Sequence, residues 1–428
     1  MSKKLAVIFV SAVVAGNANA TTQVEMIAAR QKIFGIENVD PVTGALPTGK
    51  VLFSWMSNSS FAAAIEGRMI YLDTYVTRLE VTPGRISLVI KDMVDAKPEA
   101  ILLGHGHSDH ADNAAYIAAK TGATVYATEE TCGAMQQDFA RMAADPYIQN
   151  NDIARFNPTD RVRCVNVTSA GSVPATESVR LDVLEPVACV TAFRHLHSVS
   201  VPPDSSFPPT PVKIIVDPRD ADLFPKGESL TPGRSATPQI GQMDLTTGGG
   251  SGPGGPASLL YDFVLRNAGH FTFVWHNTAG ALKEGKGAGW NGTPADGQRI
   301  ITRLKALPPT DVQMGTASSA NFDNNGLRDL IMYQQALAPK IYIPNHLTTG
   351  TATREASSMS VYAGYKKQLA LMGVTREQAP DIRWLIDPTD YLKPIVFDIN
   401  DPQYKDPRKD AYLAQACSGP MTSPTKTQ

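Results

Sequence analysis

Three histidines and one aspartate lie within six residues, directly after a short apolar run. The run Ala100–Leu103 is followed by the pattern His-x-His-x-Asp-His, formed by His105, His107, Asp109 and His110. Neutral imidazole nitrogens and carboxylate oxygens are good ligands for Zn²⁺. The chain has only eight histidines. Because three of them fall in this run, the pattern favours a metal site over a solvated polar loop.

Further histidines follow two other apolar runs that are typical of strands. His195 and His197 come after Ala188–Phe193, and His346 comes after Ile341–Ile343. Strand ends in layered α/β proteins are where functional residues collect. We therefore expect His346 and one of the other two histidines to join the first group.

The elements around these motifs alternate between strand and helix patterns. Val51–Trp55 and Met69–Tyr75 are predicted strands, and Ala111–Lys120 is a predicted helix. This alternation predicts an α/β layered fold. The expected organisation is a leader at 21–48, a domain at 49–396 with a long Pro/Gly-rich insertion at 201–256, and a polar C-terminal tail at 397–428.

The run GHGHSDHAD resembles the HxHxDH motif of the metallo-β-lactamase superfamily. The segment FSWMSNSSFAAAIEGRMIYLDTYV also resembles the opening hairpin of one branch of that superfamily. That branch includes the ascorbate-phosphate lactonases and the N-acyl-phosphatidylethanolamine phospholipases. The resemblance spans roughly residues 50–395 and implies a four-layer αββα sandwich.

The resemblance also implies roles for individual residues. The first metal would be held by His105, His107 and His197, and the second by Asp109, His110 and His346. His197 is favoured because His197-Ser198 matches the ending usual in the family, and His195 is the alternative. Asp109 would also orient the attacking water and shuttle its proton. Asp73 matches an acidic position beneath the metals and would orient a ligand imidazole.

One position departs from the family pattern. Where the family has Gly-Asp-Thr, with an Asp that bridges both metals, this chain has His276-Asn277-Thr278. A neutral amide is a poorer ligand and lacks the charge that offsets repulsion between two dications. We therefore expect one tightly bound Zn²⁺ and a weaker second ion, unless His276 takes the bridging role. On this basis Asn277→Asp should strengthen the second site.

The implied activity is zinc-dependent hydrolysis of an ester, lactone or amide by a metal-activated water. Alternatives are a phosphodiesterase or β-lactamase of the same fold, an iron-dependent redox member, or a scaffold that binds ligand without catalysis. The net charge of −2 does not favour nucleic acid as a partner, so we expect a small-molecule substrate. The sequence leaves the oligomeric state open.

The four cysteines are Cys132, Cys164, Cys189 and Cys417. One or two disulfides are expected if the protein is exported, and buried thiols are an equal alternative. Three full pairings can be drawn, and the spacing does not choose among them.

The first twenty residues have the features of a secretory signal peptide. Lys3 and Lys4 precede an apolar run from Leu5 to Gly16, and Ala18-Asn19-Ala20 follows. The run is short for a bilayer span, so we expect cleavage and export rather than a permanent anchor.

The mature chain is therefore predicted to start at Thr21. Intact-mass measurement of the exported protein should show the loss of residues 1–20. An exported product that retains Met1 would contradict this prediction.

Overall fold

This computed structural model describes residues 21–76, 88–152, 154–199, 255–317, 326–347, 358–386 and 389–418. The predicted signal peptide lies outside the described residues, as does the predicted insertion apart from Gly255 and Pro256. Among the described residues, none of the helices combines the length and the apolar character that a bilayer span needs.

The first sheet has seven strands among the described residues, in the order β16-β1-β2-β3-β4-β5-β6. They are β1 (Lys50–Ser57), β2 (Ser60–Ile65), β3 (Arg68–Leu72), β4 (Ala100–Leu102), β5 (Thr124–Ala127), β6 (Arg163–Asn166) and β16 (Ile395–Asp398). Strands β1 to β3 form an antiparallel meander, and β3 to β6 run parallel. β2 is buried along its whole length because both faces of the sheet are covered.

The second sheet also has seven described strands, in the order β15-β14-β13-β10-β9-β8-β7. They are β7 (Val179–Leu181), β8 (Ala188–His195), β9 (Ser258–Leu265), β10 (Thr272–Trp275), β13 (Val312–Thr316), β14 (Ile341–Asn345) and β15 (Asp381–Ile382). A separate small hairpin pairs β11 (Lys286–Gly287) with β12 (Trp290–Asn291).

Helices lie between these strands and at both ends of the described chain. They are α1 (Gln23–Phe34), α2 (Ile90–Asp95), α3 (Ser108–Ala111), α4 (Ala114–Thr121), α5 (Glu129–Ala144), α6 (Pro146–Gln149), α7 (Pro294–Lys305), α8 (Gly326–Leu337), α9 (Ser358–Leu371) and α10 (Pro407–Ala416). Short 3₁₀ turns occupy Ile36–Asn38 and Pro402–Tyr404.

The two sheets pack face to face, with helices on their outer sides. Between the sheets, the rings of Phe53 on β1 and Phe273 on β10 meet edge to face at 5.0 Å; such a pair contributes about 0.5–1.5 kcal/mol beyond its buried area. Ile33 of α1 belongs to the core outside the first sheet, and Ile300 of α7 to the core outside the second. The predicted four-layer αββα sandwich is therefore confirmed.

Both ends of the described part of the chain, which begins at Thr21 and stops at Ser418, pack on the sandwich. Helix α1, in the predicted leader, begins with a capping box between Thr22 and Glu25 and buries its last turn. Residues 397–418, within the predicted tail, include part of a strand and a helix. Strand β16 completes the edge beside β1, and α10 packs on the sandwich through the buried Lys409. The polar composition concealed this role because the anchoring contacts are themselves polar.

Two disulfides resolve the pairing that the sequence left open. Cys132 on α5 bonds to Cys164 on β6, and Cys189 on β8 bonds to Cys417. The second bond ties the end of α10 to the second sheet across a sequence separation of 228 residues.

The anchor of α10 is a buried ion pair. The ammonium of Lys409 lies 2.5 Å from the Asp311 carboxylate and 2.6 Å from the Tyr404 carbonyl. Both charged side chains are fully buried. Breaking a buried pair typically costs about 3–5 kcal/mol. Asp311 would keep the partly exposed Lys340, whose Nζ lies 2.8 Å from its Oδ1, so the lower end of this range is expected.

Lys409→Met should therefore lower the free energy of unfolding by about 3 kcal/mol. The exposed Lys405→Met is the matched control and should change it by less than about 0.5 kcal/mol. Urea unfolding with the disulfides intact measures both. Equal stability of the two variants would show that α10 is not anchored through this pair.

Candidate metal centre

The predicted site residues come from loops that follow strands of both sheets. His105 and His107 follow β4 of the first sheet, and Asp109 and His110 lie in α3 directly after them. His197 follows β8, and His346 follows β14, both of the second sheet. The structure brings these six side chains together at one end of the sandwich.

Three imidazole nitrogens form the first group. The Nε2 atom of His105 lies 3.1 Å from Nδ1 of His107 and 3.3 Å from Nε2 of His197. The other ring nitrogen of His197 lies 2.7 Å from the Ser198 carbonyl, which can only accept. The proton of His197 is therefore on Nδ1, and a lone pair on Nε2 faces the group.

The second group surrounds the carboxylate of Asp109. Its Oδ2 atom lies 3.3 Å from Nε2 of His110 and 3.2 Å from Nε2 of His346. The Asp109 side chain is 43% exposed, whereas His110 is almost completely buried. The rings of His105 and His110 are only 4.0 Å apart between centroids, so the two groups are adjacent.

Asp73 lies beneath both groups and is fully buried. Its Oδ1 accepts from the backbone N–H of Gly104 at 3.0 Å, and its Oδ2 lies 2.8 Å from Nδ1 of His110. Since a carboxylate only accepts, His110 carries a proton on Nδ1, and its Nε2 atom faces the carboxylate of Asp109. Asp73 and His346 have left-handed backbones, with φ of 56° and 59°. Such conformations concentrate at functional sites.

Asn277 does not lie where the sequence predicts it. Its Oδ1 accepts from Nδ1 of His105 at 2.9 Å, and its Nδ2 donates to Asp73 Oδ2 at 2.7 Å. The amide therefore contacts the ring nitrogen of His105 that faces away from His107 and His197. The expectation of a bridging position is corrected: Asn277 lies behind the potential ligands.

His195 and His276 are also placed away from the two groups. They occupy the helix-covered side of the second sheet, where His195 Nδ1 lies 3.1 Å from the Tyr333 hydroxyl. The Nε2 atom of His276 lies 2.8 Å from the Gln313 amide nitrogen. The alternation of side chains along a strand explains this placement. Phe193 lies two residues before His195 and Val274 two residues before His276, and both belong to the core outside the second sheet. The proposed bridging role of His276 is therefore corrected as well.

Burial and charge set the ionisation of the site. Burial, helped by neighbouring histidines, lowers the pKa of His197 to about 3 and that of His105 well below its usual range. Burial also acts to lower the pKa of His110, but the carboxylates of Asp109 and Asp73 outweigh it and raise that pKa to about 10. Burial opposes ionisation of Asp109, yet His110 and His346 hold its pKa well below its usual range.

These residues fit a divalent metal. In the first group, the Nε2 atoms of His105 and His197 both present lone pairs and lie 3.3 Å apart. A cation bound between them would remove the repulsion between these lone pairs. Three imidazoles are one of the ligand sets of catalytic zinc. The second group offers one carboxylate and two imidazoles. Among the described residues, the clusters that could hold a metal are His105, His107 and His197, and His105, Asp109 and His110. His346 belongs to neither cluster and adjoins the second through its contact with Asp109.

The sequence did not point to two polar residues that support the site. Ser59, in the turn between β1 and β2, donates to Asp73 Oδ2 at 2.7 Å. Asn58 donates to the Asp109 carbonyl at 2.8 Å and accepts from the backbone N–H of His346 at 3.0 Å. Their only signal in the sequence was their position within the segment that resembles the opening hairpin.

No family model and no curated protein matches the chain. Igni18, a metallo hydrolase from the archaeon Ignicoccus hospitalis KIN4/I, is 11% identical with a TM-score of 0.44, covering 81% of this chain and 98% of that chain. The metallo-β-lactamase fold protein YhfI from Bacillus subtilis is 8% identical with a TM-score of 0.39, covering 81% and 98%. CmlA, a diiron β-hydroxylase from Streptomyces venezuelae, is 11% identical with a TM-score of 0.38, covering 82% and 54%. Similarity at this level concerns the fold and carries no conclusion about activity.

His107→Ala should remove the tightly bound metal while the fold survives. The side chain contributes one of three nitrogens of the first group, and the large apolar core lies elsewhere. Metal content and circular dichroism are measured together. His270→Ala is the control, because His270 is a histidine that pairs with Asp410 outside the site. Full metal occupancy in His107→Ala would place the site elsewhere.

Proposed function

We propose that the protein is an exported zinc-dependent hydrolase of the metallo-β-lactamase superfamily, acting on an ester, lactone or amide. The observation that carries this proposal is the convergence of three imidazole nitrogens from His105, His107 and His197. His105 and His197 are held neutral by burial at pH 7, so protons do not compete with a metal there.

The first ion would be held by these three imidazoles, and a second by Asp109, His110 and His346. Zn²⁺ in such a set lowers the pKa of water towards about 7 and polarises a carbonyl or phosphoryl oxygen. The protein's own part is positioning. Ser198 orients His197 and Asp73 orients His110, each through the ring nitrogen that faces away from the ligand groups.

Asp109 is the residue best placed to move a proton. It is ionised and partly exposed, and it belongs to the second group, which adjoins the first. Its Oδ2 can accept a proton from the attacking water and pass it to the departing group, as a general base and then acid. The Asn58 amide supports this by donating to the backbone carbonyl of Asp109.

Zinc is favoured over iron by the donor set. Imidazole nitrogens suit zinc, and the first group consists of nitrogen alone. Imidazole also binds iron, so metal analysis of protein purified without added metal separates the two ions. The branch assignment to the lactonase-like and phospholipase-like proteins rests on the opening hairpin, which forms β1 to β3 and supplies Ser59 and Asp73 to the site.

Export is supported by the two disulfides. Disulfides persist in oxidising compartments and are rare in the cytosol. Together with the signal-like first twenty residues, they favour a periplasmic or extracellular location.

The zinc-loaded mature chain should turn over at least one class in a panel of chromogenic esters, lactones, amides, phosphodiesters and β-lactams. Chelation should abolish the activity, and added zinc should restore it. Asp109→Asn should lower kcat by at least about 100-fold, within the range of general acid–base catalysis, while the first ion stays bound. Zinc bound at full occupancy with no turnover of any class would instead favour a ligand-binding scaffold.

A further inference from the structure

The side-chain amide of Asn277 lies between a hydrogen-bond donor and a hydrogen-bond acceptor. On one side is the Nδ1–H of His105, which needs an acceptor; on the other is Asp73 Oδ2, which needs donors. Asn277 is fully buried, so water does not substitute for either contact. Only a group with one acceptor and one donor, as in a carboxamide, satisfies both.

The hydrogen bonds fix the direction of the amide. A carboxylate only accepts, so the nitrogen of Asn277 must face Asp73 and its oxygen must face His105. The proton of His105 is then on Nδ1, and the lone pair of Nε2 points at His107 and His197. The same Asp73 oxygen orients His110 at 2.8 Å. One amide thus connects the back of the first ligand group with the back of the second.

Gly104 provides the space for this amide. A Cβ atom at residue 104 would lie 2.2–2.4 Å from the amide atoms of Asn277. Real Cβ atoms do not approach other atoms so closely, so any side chain at residue 104 would displace Asn277. The backbone N–H of Gly104 meanwhile donates to Asp73 Oδ1, which ties the glycine to the same network.

We propose that Asn277 is a positioning residue that must be an amide, and that Gly104 is its steric complement. This inference rests on the proposed metal centre. Asn277 acts through His105, whose Nδ1 proton it holds in place, and through the Asp73 oxygen that it shares with His110. It is not a weakened substitute for a bridging ligand.

The proposal reverses the expected effect of Asn277→Asp. A carboxylate in the place of the amide would put an oxygen where Nδ2 now lies, 2.7 Å from Asp73 Oδ2. Two carboxylates so close together in a fully buried site cannot both be ionised, so one of them would have to take up a proton at neutral pH, at a cost in free energy that the amide does not incur. Asn277→Asp should therefore weaken zinc binding at the first site rather than strengthen the second.

Zinc titration of the metal-stripped full chain tests the proposal with Asn277→Asp and with three further variants. Asn277→Ala and Gly104→Ala should each raise the Kd of the first ion about 10–100-fold, the usual loss when a partner of a ligand imidazole is removed. The double variant should lose little more than Asn277→Ala alone, because the clash at residue 104 disappears with the amide. Asn267→Ala and Gly133→Ala are matched controls away from the site, and should bind zinc as the wild type does; Gly133 has open space for a Cβ.

Independent, multiplicative losses in the double variant would overturn the pairing of Gly104 with Asn277. Tighter binding of a second ion in Asn277→Asp would overturn the requirement for an amide, since it would show that this side chain faces the metals.

A second readout needs no metal. Long-range ¹H–¹⁵N NMR of the metal-stripped wild type should find the proton of His105 on Nδ1, and Asn277→Ala should give a mixture of tautomers. A wild-type proton on Nε2 would overturn the proposal. A wild type that binds no zinc would defeat the proposed function, yet the tautomer of His105 would still decide the role of Asn277.

Discussion

The buried carboxylate of Asp73 accepts hydrogen bonds from four separate parts of the chain, and the geometry of the site depends on it. The donors are Gly104 after β4, Ser59 between β1 and β2, His110 in α3 and Asn277 after β10. The first three belong to the first sheet and its loops, and the last belongs to the second sheet. Loss of any of these hydrogen bonds would be costly because the carboxylate is buried away from water. The carboxylate therefore fixes the positions of the loops at this end of both sheets relative to one another.

The strand pairing within the sandwich determines where these loops begin. Parallel pairing of β3 with β4, of β10 with β13 and of β13 with β14 brings the ends of the strands that carry the potential ligands to the same edge. The outer elements hold the second sheet in place, through the buried Lys409–Asp311 pair and the Cys189–Cys417 bond. The potential ligand histidines are already close together in this structure, and such an arrangement would reduce the conformational entropy lost on metal binding.

The sequence predicted correctly that the residues of the HxHxDH run lie close together, because they are neighbours in the chain. The HxHxDH run concentrates four potential ligands in six residues, and the structure divides them between the two adjacent groups. The choice between His195 and His197 depends on where β8 ends, because the strand places His195 towards the outer helices and releases the chain before His197. The direction of Asn277 depends on Asp73 and on the missing side chain of Gly104, both distant in sequence. No spacing rule contains that information, and the same holds for the polar contacts that anchor α10.

Zinc K-edge X-ray absorption spectroscopy of the protein loaded with one equivalent of Zn²⁺ tests the central claim most directly. The account predicts a shell of three imidazole nitrogens at about 2.0–2.1 Å, with one further light-atom ligand and no sulfur. The imidazole signal should fall below three in His197→Ala and stay at three in His195→Gln. A shell with fewer than two imidazoles in the wild type, or loss of imidazole from His195→Gln instead of His197→Ala, would contradict the account.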